Sequence, residues 1–148
     1  MENKILGFFA ESRWASNFHE HPEIMIYIDG YAGQKIACCT VEAAYQASKT
    51  FDIEQCLQIA NAETPDKAKK MGRSISLRSD WESVKINIML ELLIQKFSHP
   101  YYRDLLKSTG DAYLEETNSW SDFYWGIWYG VGQNHLGKLL MQIHETIQ

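Results

Sequence analysis

Apolar residues recur at helical spacing along two stretches of the chain. Between residues 80 and 97 they form a wide stripe that predicts a long amphipathic helix: Val84, Ile88, Met89, Leu92 and Leu93. Near the C terminus a second stripe predicts another: Leu136, Leu139, Leu140, Ile143 and Ile147. Capping residues, prolines and glycines predict shorter helices over 40–49, 52–60, 64–72 and 100–107. Helices therefore dominate the predicted fold.

Strand signals are fewer and shorter. Segments 24–28 and 35–39 predict a hairpin joined across Asp29-Gly30 and Gly33, and 4–9 and 113–116 predict two further strands. Segments 11–22 and 118–134 lack a regular period and predict long loops. With no internal repeat or linker, the sequence predicts one α+β domain over residues 1–148, mostly helical with a few short strands.

The segment 40–49, TVEAAYQASK, carries an unusual set of side chains. Thr40 is a suitable N-cap, and the alanines favour a helix. Four polar or aromatic residues share one face of it at i, i+3, i+4 and i+7: Glu42, Tyr45, Gln46 and Lys49. Three others are expected to pack inward: Val41, Ala44 and Phe51. The polar face is either a solvent-exposed Glu–Lys pair or a functional surface.

Composition narrows the function classes. A net charge of −5 argues against a broad nucleic-acid-binding surface, although local recognition of one base stays open. Aromatic residues make up 13% of the chain, more than a core of this size needs, which suggests ligand contact. Three cysteines show no zinc or redox spacing and predict free thiols. The short apolar run near the N terminus fits neither a membrane span nor a signal peptide, so we expect a soluble cytoplasmic protein.

The loop 118–134 combines aromatic rings with one acid. Its rings offer flat faces on which a nucleobase stacks: Trp120, Trp125, Trp128 and Tyr129. The alternative is a loop that collapses on its own aromatic side chains. Asp122 lies among them and would have a perturbed pKa if it were buried, as acid–base catalysis requires. A plain surface aspartate is the other interpretation.

Cations gather between residues 67 and 78, namely Lys67, Lys69, Lys70, Arg73 and Arg78. Lys69 and Arg73 are four residues apart on a predicted helix, and their charges suit a phosphate or pyrophosphate. A solvated helix face is the alternative. Asp80 is most simply the N-cap of the long helix. His19 and His21 lack further ligands for a metal, and the glycines near 130–137 lack the other parts of a phosphate-binding loop.

An ordered series of motifs resembles the NADAR family, whose members are also described as YbiA-like. The series comprises Ser16-Asn17-Phe18, the pattern E-x-x-x-Q-x-x-K from Glu42 to Lys49, Ala68-Lys69-x-x-Gly72-Arg73, Arg78-x-Asp80-Trp81-Glu82-Ser83-Val84-Lys85, Lys96-Phe97, Leu105-Leu106, Asp122-x-x-Trp125-Gly126, and Gly132-x-Asn134-x-Leu136-Gly137 with Leu139-Leu140-Met141. The resemblance covers nearly the whole chain. Family members often carry an aromatic or His pair after the glutamate, where this chain has Ala43 and Ala44, and the loop before Asp122 is about two residues longer here.

The resemblance implies a metal-independent and cofactor-independent N-glycosidase that hydrolyses a ribose C1′–N bond. The substrates it implies are ADP-ribose attached to guanine bases in nucleic acid, or phosphoribosylamino-pyrimidines of the riboflavin pathway. Glu42 would stabilise the oxocarbenium-like transition state or act as base, and Asp122 would position water or pass a proton. The remaining residues that it assigns to substrate binding are Asn17, Phe18, Gln46, Lys49, Lys69, Arg73, Arg78, Asp80, Trp81, Trp125 and Asn134.

Two other classes of function stay open. A non-catalytic module that binds ADP-ribose or a nucleotide needs the same cations and aromatic rings without Glu42. A structural or adaptor protein needs neither, and it leaves the two long aromatic loops unexplained. Glu42 therefore separates the enzyme from the binding module.

Overall fold

The computed structural model describes residues 3–147, which form two compact units. One unit runs from Asn17 to Lys96, and the other combines the described residues up to Ser16 with those from Phe97 onward. The boundary between them falls near the C-terminal end of a long helix, α4, Trp81–Ser98. The α+β class with short strands is confirmed, and the single domain over 1–148 stays a prediction.

The unit from 17 to 96 is built around one short helix, α1, Val41–Ala47. It contacts α2, Ile53–Ala60, and α3, Pro65–Met71, as well as the hairpin of β2, Ile26–Asp29, and β3, Lys35–Cys38. The hairpin is antiparallel, with Ile26 opposite Cys38. Gln95 of α4 bonds to both the N–H and the carbonyl of Tyr27, at 2.8 and 2.6 Å. The predicted hairpin and helices of this unit are confirmed.

Small side chains explain why α1 lies at the centre. Its three alanines, Ala43, Ala44 and Ala47, are all buried and let neighbouring backbones approach closely. Thr40 caps the helix by accepting a hydrogen bond from the N–H of Ala43 at 3.0 Å, as predicted. Every residue of α1 is buried.

The other unit pairs two distant strands and covers them with a helix. β1, Lys4–Leu6, runs parallel to β4, Tyr113–Glu115. The C-terminal helix α6, His135–Thr146, packs on β4, and α5, Pro100–Ser108, packs on α6 and on a 3₁₀ helix, Ala10–Ala15. An aromatic chain of edge contacts joins Trp14, Phe97 and Tyr102 in its core.

Some sequence predictions were wrong in detail. Phe51 does not pack inward but is 69% exposed, because it follows the end of α1 and precedes the start of α2. Arg73 does not share a helix with Lys69, because α3 ends at Met71 with Gly72 as its cap. The first strand ends at Leu6 rather than Phe9. Among residues 3–147, no helix is long and apolar enough to cross a membrane.

Candidate functional site

The centre of the candidate site is the buried polar pair on α1. Glu42 is 7% exposed and Gln46 is 5% exposed. Gln46 donates a hydrogen bond from Nε2 to Glu42 Oε1 at 2.8 Å, one helical turn away. The interpretation of this face as a solvated Glu–Lys pair is therefore wrong. A carboxylate in such a place is costly unless other groups stabilise it, which makes it a candidate for function.

Two buried oxygens, one in this pair and one beside it, accept no hydrogen bond from residues 3–147. They are Asn17 Oδ1 and Gln46 Oε1. Asn17 lies beside α1, since its carbonyl accepts the N–H of Glu42 at 3.0 Å, and its Nδ2 makes a long 3.5 Å contact to Met89 Sδ. Buried polar atoms without partners are rare in folded proteins and mark positions where a ligand or water completes the bonding.

Lys49 connects the carboxylate to a cluster of cations. Burial lowers the pKa of Lys49, the nearby Glu42 carboxylate opposes that shift, and Lys85, Arg73 and Lys69 reinforce it. Lys49 thus lies within electrostatic reach of three other cations and of one buried carboxylate. Lys85 also pairs with exposed Glu82 at 2.7 Å. This local excess of positive charge contrasts with the net charge of −5 and suits an anionic ligand.

Aromatic rings surround the same cations. Tyr45 and Trp81 are 5.1 Å apart between ring centroids, and Lys49 Nζ lies 5.5 Å and 5.9 Å from those centroids. Lys69 Nζ lies 5.8 Å from the centre of the Phe18 ring. Such cation–π contacts hold the two ammonium groups against the rings. The sequence-predicted residues Phe18, Lys49, Lys69 and Trp81 are therefore brought together.

Arg78 and Asp80 bond to each other. Arg78 donates from Nε and Nη2 to the two Asp80 oxygens at 2.6 and 2.9 Å, and from Nη1 to the carbonyl of Ser48 at 3.4 Å. This pairing raises the pKa of Arg78 and lowers that of Asp80. The Asp80 side chain thus bonds to Arg78, not to the start of α4 as the N-cap prediction supposed. Direct substrate binding by this pair stays a prediction.

The remaining predicted residues belong to the other unit, where they order the loop 118–134. Asp122 Oδ1 accepts the N–H groups of Tyr124 at 3.1 Å and Trp125 at 2.9 Å, and its Oδ2 accepts no hydrogen bond from residues 3–147. Asn134 joins this loop to β4, because its Oδ1 accepts the N–H of Glu116 and its Nδ2 donates to the carbonyl of Leu114. Their catalytic and binding roles stay predictions.

The aromatic side chains of that loop pack largely on one another. Ring pairs form between Phe123 and Trp128, Tyr124 and Trp125, and Trp128 and Tyr129, with centroids 4.7–5.2 Å apart. Trp120 and Tyr129 remain mostly exposed. The interpretation of the loop as collapsing on its own rings is thus confirmed for its centre.

An open cavity of about 520 Å³ lies in the same unit. Its lining is Tyr113, Glu115, Thr117, Asn118, Ser119, Ile127, Tyr129 and Gly130. Among the predicted residues only Tyr129, a candidate for base stacking, lines it, and Glu115 is engaged by the hydroxyls of Tyr113 and Thr117. Buried charge and unsatisfied oxygens coincide at Glu42 and not among the residues that line this cavity.

Sequence reasoning missed three contributors to the site. Tyr45 was placed on the polar face but not assigned to ligand binding. Lys85 follows Trp81 by one turn of α4, and this i, i+4 spacing could have revealed that both side chains reach the same place. Gly72 is the third, because a Cβ there would lie 1.9 Å from Gln46 Oε1.

Gly72→Ala is expected to lower turnover by about fivefold with little loss of fold stability. The backbone of Gly72, with φ −61°, suits alanine, so the effect comes from displacing the Gln46 amide that contacts Glu42. A double-mutant cycle with Gln46→Ala measures it. If Gly72→Ala costs as much activity in the Gln46→Ala background as in the wild type, the glycine does not act through Gln46.

Comparison with known proteins places this site in a family. The family model for the NADAR domain matches residues 7–148. The chain is 39% identical to N-glycosidase Npun_R5314 of Nostoc punctiforme, over 90% of this chain and 84% of that protein. It is 35% identical to N-glycosidase YbiA of Escherichia coli, over 99% and 91% of the two chains.

Two further similarities extend this picture. The NMR structure of E. coli YbiA matches with a TM-score of 0.78 and 35% identity, covering 99% of this chain and 86% of that one. Riboflavin biosynthesis protein PYRR of Zea mays is 33% identical over 99% of this chain, which spans 26% of that protein. The resemblance inferred from the ordered motifs is confirmed, and the chain belongs to the NADAR family.

Proposed function

We propose that this protein is an N-glycosidase that hydrolyses a ribose C1′–N bond in a phosphorylated ribosyl or ADP-ribosyl substrate. The observation that carries the proposal is the buried Glu42 carboxylate beside Lys49, Lys69, Arg73 and Lys85 in a member of this family. Relatives are named N-glycosidases. Three free cysteines fit a cytoplasmic protein.

The reaction requires one bond to break and one to form at C1′. The C1′–N bond breaks and a water oxygen bonds to C1′; one proton of the water ends on the departing nitrogen, and the other stays on the new C1′ hydroxyl. The sugar passes through an oxocarbenium-like state, whose positive charge the Glu42 carboxylate stabilises. Gln46 holds that carboxylate in place through its 2.8 Å bond. Asp122 remains the predicted proton carrier.

Substrate binding divides between charge and hydrogen bonding. Lys49, Lys69 and Arg73 bind the phosphates, since phosphate oxygens are the strongest anionic acceptors available to them. Asn17 Oδ1 and Gln46 Oε1 require donors, and ribose hydroxyls or amino groups of a base are donors of that kind. The aromatic pair of Tyr45 and Trp81 supplies a flat surface near the cations.

A hydrolysis assay read by mass spectrometry tests this proposal. The wild type is given a guanine-ADP-ribosylated oligonucleotide and, separately, a phosphoribosylamino-pyrimidine. Release of ADP-ribose with restored guanine identifies the first substrate class, for which the base must be flipped or single-stranded. Release of ribose 5-phosphate identifies the second. Binding of ADP-ribose without cleavage of either substrate would instead indicate a non-catalytic binding module.

Lys49 gives this site an expected pH dependence. Because burial lowers its pKa, its ammonium is lost at a lower pH than that of an ordinary lysine. We expect the affinity for ADP-ribose, whose phosphates keep a constant charge, to fall as the pH rises through that pKa. Calorimetric titration from neutral to alkaline pH measures the fall. Lys49→Arg stays charged and should flatten the profile; an unchanged profile in that variant would assign the dependence to another group.

A further inference from the structure

Phe51 is an exposed aromatic ring on an ordered support. The backbone on both sides is fixed: Thr50 is buried and its hydroxyl accepts the N–H of Asp52 at 3.0 Å, while Asp52 caps α2 through the N–H groups of Glu54 and Gln55. A large apolar side chain held in solvent by such a framework gains nothing from burial. Exposure of a single apolar side chain is common, so what distinguishes this ring is its ordered support and the group behind it.

One face of the Phe51 ring is backed by a cation. The guanidinium carbon of Arg78 lies 4.3 Å from the ring centroid. Arg78 itself is immobilised by Asp80, by the carbonyl of Ser48, and by a 2.7 Å bond from its own N–H to the carbonyl of Lys49. The ring and its backing are thus tied to the end of α1, next to the phosphate-binding Lys49.

This arrangement suits stacking on the open face. A guanidinium behind the ring draws electron density toward itself, which makes the opposite face a better partner for an electron-rich purine. Lys49 is two residues away, so the Cα atoms of Lys49 and Phe51 are within about 7 Å of each other. The Phe51 ring therefore stands on the stretch of backbone that adjoins Lys49, the proposed phosphate ligand.

We propose that Phe51, backed by Arg78, is a stacking platform for a second nucleobase, and that it selects substrates in which the ribosyl group is joined through a pyrophosphate to another nucleoside. The inference rests on the proposed function, because it takes the scissile bond to lie at Glu42 and the phosphates at Lys49. It also gives the Arg78–Asp80 pair a role: Asp80 positions Arg78, and Arg78 positions the ring.

The platform is tested with two substrates, one that carries a second nucleoside and one that lacks it. The kcat/KM values of wild type, Phe51→Ala, Phe51→Trp and Tyr31→Ala are measured on the ADP-ribosylated oligonucleotide and on the phosphoribosylamino-pyrimidine. Tyr31 is the matched control, an exposed ring in the same unit at 74% exposure. The readout is the kcat/KM on the oligonucleotide divided by the kcat/KM on the pyrimidine. We expect Phe51→Ala to lower this ratio by at least about fivefold, because one stacked base is lost. Phe51→Trp should recover most of it and Tyr31→Ala should not change it.

An affinity measurement separates this inference from the proposed function. Calorimetry gives the Kd values of ADP-ribose and ribose 5-phosphate for the same variants, and it does not depend on turnover. Wild type that cleaves neither substrate contradicts the proposed function, while a selective loss of ADP-ribose affinity in Phe51→Ala still supports the platform. Equal losses for both ligands, or no loss for either, would overturn it.

Discussion

Glu42→Gln is expected to lower kcat by at least about 100-fold on whichever substrate the wild type cleaves. The substitution removes the negative charge that opposes the developing charge at C1′, and it leaves a side chain of nearly the same shape. An amide oxygen at that position still accepts the hydrogen bond from Gln46, which now spans 2.8 Å. Folding should therefore survive, and circular dichroism and thermal unfolding check that it does.

A second carboxylate offers a matched control for this substitution. Glu54 lies in the first turn of α2, as Glu42 lies in the first turn of α1, but it is exposed. Glu54→Gln should retain wild-type activity. Because Glu42 raises the pKa of Lys49, Glu42→Gln should also move the alkaline loss of ADP-ribose affinity to lower pH. This second readout reports the electrostatic contact directly, independently of catalysis.

The outcome distinguishes an enzyme from a binding module. Loss of turnover with retained affinity for ADP-ribose would support catalysis by Glu42. Turnover within a few-fold of wild type would place the catalytic carboxylate elsewhere, and Asp122, with one oxygen that accepts no hydrogen bond from residues 3–147, would be the next residue to replace.

Local signals predicted the helices well, because caps act within a few residues. Thr40, Asp52 and Thr64, the first residues of three predicted helical segments, accept hydrogen bonds from N–H groups of the first turn. The burial of Glu42 could not be predicted in the same way. Helical spacing places Glu42 and Gln46 on one face, but only the helices and hairpin around α1 decide whether that face meets solvent or protein.

Pairing between charged residues could not be predicted from the sequence either. Arg78 ends a run of cations and stays a predicted phosphate ligand, but the cation pattern did not predict its two-bonded pair with Asp80. Phe51 looked like a core residue because apolar side chains are usually buried. Its exposure follows from the turn between α1 and α2, whose direction no periodic pattern records. The Arg78–Asp80 pair and the exposure of Phe51 both depend on contacts outside a single helix, which local patterns do not record.

Lys96 should make the stability of this protein depend on pH. It is 1% exposed near the end of α4, and burial lowers its pKa to about 7. In the unfolded chain its pKa is the usual value of about 10.4. Between these two values the unfolded chain binds a proton that the folded chain does not, so the free energy of unfolding rises with pH. Below about pH 7 the full cost of burying the ammonium is present.

We expect the wild type to gain roughly 1.5 kcal/mol of unfolding free energy from Lys96 between pH 7 and pH 8.5. That gain corresponds to an increase in Tm of about 4 °C for a chain of this length. Lys96→Met, which keeps most of the length of the side chain without its charge, should lack the gain. Lys138→Met, at an exposed lysine of α6, is the control and should keep it.

The quantity to compare is the slope of unfolding free energy against pH in wild type and in Lys96→Met. The difference between the two slopes reports the proton on Lys96, whereas the stability at a single pH does not. Any change in packing around the shorter-reaching methionine shifts the stability of Lys96→Met by the same amount at both pH values, so it cancels in the comparison. The buried thiols cancel in the same way: burial raises the pKa of Cys38 to about 12 and that of Cys56 above its usual value, so their ionisation in the unfolded chain lowers the slope of wild type and Lys96→Met alike. Parallel pH profiles for wild type and Lys96→Met would show that Lys96 keeps its proton in the folded state, stabilised there by a neighbouring group.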